Sequence, residues 1–219
     1  MEHFGLTAFF ADNRLFIAAL GAVAAAIVGW VFTYLGWTKT HQNSLDLDKR
    51  RAELKFVSDQ IQFLYGPLFS LGNASRVAIE AFAQKHAPGR NSVFDGSKKT
   101  PEEYHAWRTW MTQVMMPLNL RMEHAIIENS HLIDGPTMPD SFQVFLGHVA
   151  AYKAVLKNWE DSKAAGTLDM LTDLDHVSVV NFPKEFERDV EASFVKLRAK
   201  QLDLLSITEG QAATADSKP

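Results

Sequence analysis

The chain contains no cysteine. That excludes a disulfide framework, a thiolate nucleophile and thiolate-bound metal, and it fits a reducing compartment. Positive charge is not in excess: 22 Lys and Arg stand against 26 Asp and Glu, a net charge of −4. General nucleic-acid binding is therefore not expected. The sequence also has no phosphate-cradling glycine loop, no dinucleotide fingerprint and no nucleophile elbow. Gly66-Pro67 and Gly135-Pro136 read as turn or kink punctuation. No strand-like alternation and no internal repeat stand out. One stretch lacks charge altogether, and it organises the rest.

That stretch is Leu15 to Trp37, LFIAALGAVAAAIVGWVFTYLGW, 23 residues. As a helix it would reach about 34 Å, enough for a hydrocarbon core of about 30 Å. A cleaved signal peptide has a shorter apolar core ending at a small-residue site. Here the best such site, Ala22-Val23-Ala24, lies mid-run, so a retained anchor is expected. Trp30, Tyr34 and Trp37 cluster at its C-terminal end, where amphipathic rings prefer the headgroup level, and Phe9 and Phe10 stand at the other end. Arg14 is the sole Lys or Arg before the run, whereas Lys39, Lys49, Arg50, Arg51 and Lys55 follow it. Positive charge stays cytoplasmic, so the N-terminus should lie outside and the large domain inside the inner (plasma) membrane. The same basic residues suit anionic headgroups, at about 1 kcal/mol each near the surface. Gly21, Ala25 and Gly29 form a small-residue row, with Ala18, Ala22 and Ala26 parallel to it. Such a row lets two helices approach closely and makes a homo-oligomer a candidate assembly.

Beyond the anchor the hydrophobic period is helical throughout. The expected layout is a short N-terminal segment (1–14), the membrane helix (15–37), a stalk helix (38–65), a helical bundle (66–207) and a disordered tail (208–219). Leu47, Leu54, Val57, Ile61 and Leu64 give the stalk an apolar seam, favouring packing on the protein's own bundle over a coiled coil. Leu68 and Leu71 extend the stalk pattern past Gly66-Pro67, which should kink or interrupt it. A helix to about Lys85 carries Arg76 and Glu80 at pairing distance. Arg90 to Lys99 reads as an exposed loop. Thr100-Pro101-Glu102-Glu103 has the residues of a capping box with proline at the first helical position. The pattern it opens runs to about Leu132, with a kink or break expected at Pro117. Pro139 opens the clearest amphipathic stripe: Phe142, Phe145, Leu146, Val149, Tyr152, Leu156 and Trp159. Pro183 opens the last helix, to about Ser206, with Phe186, Val190, Phe194, Leu197 and Leu204 inward. The fold class is all-α: one N-terminal transmembrane helix followed by a cytoplasmic four- or five-helix bundle.

Three constellations could carry chemistry. His124, Glu128 and His131 share one face if the helix continues, and two histidines with a carboxylate suit zinc or non-haem iron. A di-iron bundle needs a second Glu-x-x-His pair, and the nearest match is Asp173-x-x-His176. Met122, Ile126 and Ile133 place the apolar face opposite, so a solvated or interhelical polar face is the favoured reading and no metal is assigned. Asp169, Asp173, Asp175 and His176 form an acidic cluster without the glycine and final glutamate of a calcium loop. An ordinary acidic loop is expected there. Trp107, Arg108, Trp110, Arg121 and Glu123 concentrate aromatic and charged groups. An arginine over a tryptophan face suits an anion or a base, although the tryptophans fit a core as well.

The segments LDLDKRRAELKFVSDQIQFLYGPLF, WRTWMTQVMMPLNLRMEHAI and FLGHVAAYKAVLKNW resemble uncharacterised bacterial proteins with one N-terminal membrane helix and a helical cytoplasmic domain. The resemblance implies a layout and transfers no catalytic residue. The leading expectation is a non-enzymatic, cofactor-free interaction module that self-associates or binds a cytosolic protein, as a sensor or effector. The alternatives are a metal-binding bundle enzyme using His124, Glu128 and His131, and an effector whose oligomerised anchors disturb the bilayer.

Overall fold

The computed structural model describes residues 14–89 and 99–216. The Phe9–Phe10 pair and nearly all of the expected N-terminal segment lie outside them, as do the side chain of Lys39 and most of the Arg90–Lys99 loop. Among the described residues the fold is all-α, without a strand. Its helices are α1 (Arg14–Asp59), α2 (Gly66–His86), α3 (Pro101–Trp110), α4 (Met116–Glu128), α5 (Asp140–Ala165) and α6 (Phe186–Asp216). Helix α6 continues past the expected end at Ser206 into the segment expected to be disordered.

The chain divides into two compact units, Met1–Ala52 and Glu53–Pro219. The division falls inside the segment read as a stalk. Residues 53–65 belong to the second unit, where Val57 and Leu64 are buried and Leu54 and Ile61 pack against the core. In that unit α2 packs on α4, α4 on α5, α5 on α6 and α6 on α2, so consecutive rods close a four-membered ring. Aromatic side chains fill it. Phe145 stacks on Phe186 at 4.4 Å, and Phe82 meets Trp107 edge-on at 5.4 Å. Each such ring, fully buried, contributes about 1.5–3 kcal/mol.

The expected start of α3 is present in full. The Thr100 hydroxyl accepts from the Glu103 N–H at 3.2 Å, and the Glu103 carboxylate accepts from the Thr100 N–H at 2.8 Å. Arg76 and Glu80 pair at 3.1 Å on an exposed face. At the two internal prolines the structure shows how the interruption is accommodated. The helix passes through a π-turn, Gln60–Tyr65 before Pro67 and Met111–Met115 before Pro117. The N–H of Gly66 donates to the carbonyl of Ile61, and that of Met116 to the carbonyl of Met111, five residues back in each case. A proline ring crowds the carbonyl four residues before it. Widening the preceding turn by one residue moves that carbonyl aside and lets the helix continue.

Polar groups then lock the first π-turn. Buried Gln60 donates to the Leu132 carbonyl at 2.9 Å. The Tyr65 hydroxyl accepts from the Asp134 N–H at 3.0 Å, and Asp134 pairs with Lys196 of α6 at 2.7 Å. The α4–α5 connection is thus held to the neighbouring helices by side chains.

Candidate functional site: a histidine clasp and the cleft beside it

The apolar helix and the charged helix faces stand as follows. Leu20 to Trp37 is long and apolar enough to cross a membrane, and every residue in it is exposed. A membrane anchor and a signal sequence share that property. Trp30 and Tyr34 stack at 5.6 Å, and among the described residues nothing beyond the surrounding backbone of the same helix comes within 4 Å of a Cβ placed on Gly21 or Gly29. Arg51 pairs with Asp48 at 3.7 Å and Lys55 with Asp59 at 2.6 Å. His124 Nε2 and a Glu128 oxygen lie 2.8 Å apart, both exposed. Helix α4 ends at Glu128, and His131 sits in the 3-10 turn Ser130–Leu132. The expected continuation to Leu132 is therefore corrected, and with it the single face that would have carried all three groups. Among the described residues no group of three or more His, Asp or Glu is gathered to hold a metal ion.

The acidic cluster has a different role. Thr172 to His176 forms a 3-10 turn (Asp173–His176) closed by its own capping box, in which the Asp175 carboxylate accepts from the Thr172 N–H and hydroxyl at 2.8 Å each. Those bonds hold the Asp175 carboxyl below the usual range. Asp173 accepts from the Tyr104 hydroxyl at 2.5 Å, which pushes that phenol up to about 12. Asp173 and Asp175 are thus engaged by hydrogen-bond donors and Asp169 acts on Arg108 through its charge, so the segment forms a clasp.

His176, fully buried, is its centre. Its Nδ1 lies 2.8 Å from the Thr172 carbonyl, and its Nε2 lies 2.9 Å from an Arg108 guanidinium nitrogen. A carbonyl only accepts and a guanidinium only donates, which fixes the tautomer. Nδ1 carries the proton, Nε2 offers its lone pair, and the ring is neutral. Burial pushes its pKa down, and the neighbouring Arg108 charge lowers it further. Two indoles hold the backbone of the clasp: Trp107 donates to the His176 carbonyl and Trp159 to the Asp175 carbonyl, each at 2.8 Å. Helices α3 and α5 thereby grip the α5–α6 connection from both sides.

Beside the clasp, a cleft of about 350 Å³ opens between α3 with its π-turn and α5. Arg108, Thr112 and Gln113 line one wall, Trp159 and Lys163 the other, and Leu168 the end. Arg108 is half-buried, and burial lowers its pKa. The charge of the nearby Asp169 carboxylate acts on it in the opposite sense. Arg121 and Glu123 are not part of this site. Arg121 lines a separate groove with Phe63 and Leu120, and Glu123 pairs with Lys153 of α5 at 2.7 Å. The Arg108–His176 contact joins residues 68 apart, so no local spacing announces it.

Some large apolar side chains remain uncovered. Val195, Leu202 and Leu205 recur at helical spacing on α6, offset by roughly a third of a turn from buried Val190, Leu197 and Leu204. Met170, Leu174 and Val179 project from the clasp segment at 78%, 82% and 93% exposure. Compared with family models, curated proteins and solved structures, the chain matches none.

Proposed function

We propose that the chain is a membrane-anchored helical interaction module of the bacterial inner membrane. Its N-terminus lies outside, and its helical domain lies in the cytoplasm and binds a protein partner or a second copy. The uncovered helix Leu20–Trp37 carries this reading. Burial of a Val, Leu, Ile or Phe is worth about 1.5–3 kcal/mol, and this helix leaves such residues exposed along its whole length. A lipid environment provides that burial without any cover from the chain. The basic residues Lys49, Arg50, Arg51 and Lys55 that follow it orient the helix. The exposed stripe Val195, Leu202 and Leu205 supplies contact surface on the domain.

Topology fusions test the anchor. A periplasm-dependent phosphatase fused after Ser206 should be inactive, and a fluorescent protein fused there should be bright. The reverse pattern overturns the orientation, and recovery of the full chain in the soluble fraction overturns the anchor. Single cysteines placed along Gly21 to Gly29, in a chain that has none of its own, then report self-association. Crosslinking that repeats with helical period through Ala25 supports the small-residue face.

A further inference from the structure

The half-buried guanidinium of Arg108 poses a question that the clasp does not answer. Charges withdrawn from water are ordinarily paired. Arg108 spends one nitrogen on the lone pair of a neutral histidine, 2.9 Å away; Asp173 is bonded to Tyr104 and Asp175 to Thr172, and Asp169 acts on it through its charge. A guanidinium presents five donors in a planar fork that matches a carboxylate or a phosphate. The cleft it lines supplies a second cation, Lys163, and neutral donors on Thr112 and Gln113. Leu156, Leu168 and Trp159 give the same cleft an apolar portion. At about 350 Å³ it falls at the small end of ligand-sized pockets.

We infer that the cleft between α3 and α5 binds a small organic anion. Its carboxylate or phosphate head would meet Arg108 and Lys163, and its apolar body would lie against Leu168 and Trp159. The site is a binding site and performs no group transfer. Glu160 also lines the cleft, and its carboxylate disfavours a second negative charge on the ligand, so a single anionic head fits it best. The inference does not depend on the membrane reading, because every residue it uses belongs to the second unit.

Isothermal titration of the full chain in detergent micelles tests it with three probes of similar shape. Phenyl phosphate and phenylacetate carry the two head groups, and phenylacetamide is the neutral control. At least one anion should bind with a dissociation constant of about 1 mM or tighter. The neutral amide should bind at least about tenfold more weakly, since hydrogen bonds to charged groups are the strong ones. The tighter anion assigns the head group. Arg108→Gln and Lys163→Gln should each weaken the anion by about tenfold and leave the amide unchanged. Arg108 also contacts the clasp, so Lys163→Gln, on an exposed side chain away from His176, carries the test if Arg108→Gln unfolds. Equal binding of anion and amide, no anion binding at 10-fold above about 1 mM, or undiminished binding by Lys163→Gln overturns the site.

Discussion

Gly66 is where the π-turn can be put at risk with one methyl group. Its backbone is ordinary helix, φ −64° and ψ −52°, so alanine meets no conformational barrier there. By propensity alone Gly66→Ala should stabilise by about 0.5–1 kcal/mol. The π-turn reverses that sign. A Cβ on Gly66 would fall against the carbonyl oxygen of Ile61, the atom that accepts the Gly66 N–H, closer than real contacts allow. That neighbour is backbone and cannot rotate away. Relief requires opening the turn or converting it to α-helix, which slips the phase of Leu64 and Tyr65 against Leu68 and Leu71, all buried. Overpacking of this kind costs about 1–3 kcal/mol, so the net change should be destabilising. For a domain of this size that lowers the unfolding temperature by roughly 2–4 °C per kcal/mol. Gly72→Ala is the internal control, because its Cβ would sit 3.9 Å from Glu187 Cγ, an ordinary contact. It should be neutral or stabilising. Urea unfolding of both full-length variants in detergent, followed by far-ultraviolet circular dichroism, compares them directly. Gly66→Ala at least as stable as Gly72→Ala would refute the π-turn as the reason for glycine at 66.

The remaining predictions use the same unfolding measurement. Thr100→Ala removes the capping-box acceptor at 3.2 Å and should cost about 1 kcal/mol; a loss below about 0.3 kcal/mol would mean that the cap is not formed. Burial pushes the imidazoles of His148 and His176 down from the usual value near 6.5, so the unfolded chain takes up those protons first. Their contribution is whole above about pH 6.5 and is lost as pH falls through the folded values, whereas Glu187, pushed up by burial, acts in the opposite sense from the carboxylate range upward. The urea midpoint should therefore be lower at pH 6.0 than at pH 7.5, and equal midpoints would contradict the neutral buried histidines. His124→Ala should change stability by less than about 0.5 kcal/mol, as expected of an exposed pair, and a larger loss would reveal a partner beyond Glu128.

Local chemistry was what the sequence displayed clearly. The α3 capping box, the Arg76–Glu80 pair and the inward stripes of α5 and α6 each rest on residues three to seven apart, and each is present. The uncharged run was equally plain, because a single helix determines its surface. Prolines 67 and 117 were legible as trouble but not as π-turns. Proline states only that the carbonyl before it must move, and whether a helix kinks, breaks or widens depends on what packs beside it. Here the Gln60 and Tyr65 side chains reward the widened turn by bonding to residues 132 and 134. Lys99, placed in an exposed loop by its polar surroundings, is buried, which composition does not disclose.

The two histidine clusters show what a spacing rule can see and what it cannot. His124, Glu128 and His131 fit a helical face only while the helix lasts, and Asn129 ends it one residue past Glu128. The metal pattern assumed a continuity that the chain does not supply. His176 lay in a segment without helical periodicity, where its neighbours in sequence suggested only a solvated acidic loop. Its environment is built instead by Tyr104, Trp107 and Arg108 from one helix and Trp159 from another. Trp107 and Arg108 stood out in the sequence as an aromatic and charged pair, but nothing in their spacing linked them to His176. A neutral imidazole between a carbonyl and a guanidinium is a three-element property, and it arises only once α3 and α5 close on the connection between α5 and α6. The same closure leaves Arg108 half-buried at the wall of a cleft. The contact that organises the clasp, Arg108 to His176, thus depended most on tertiary packing.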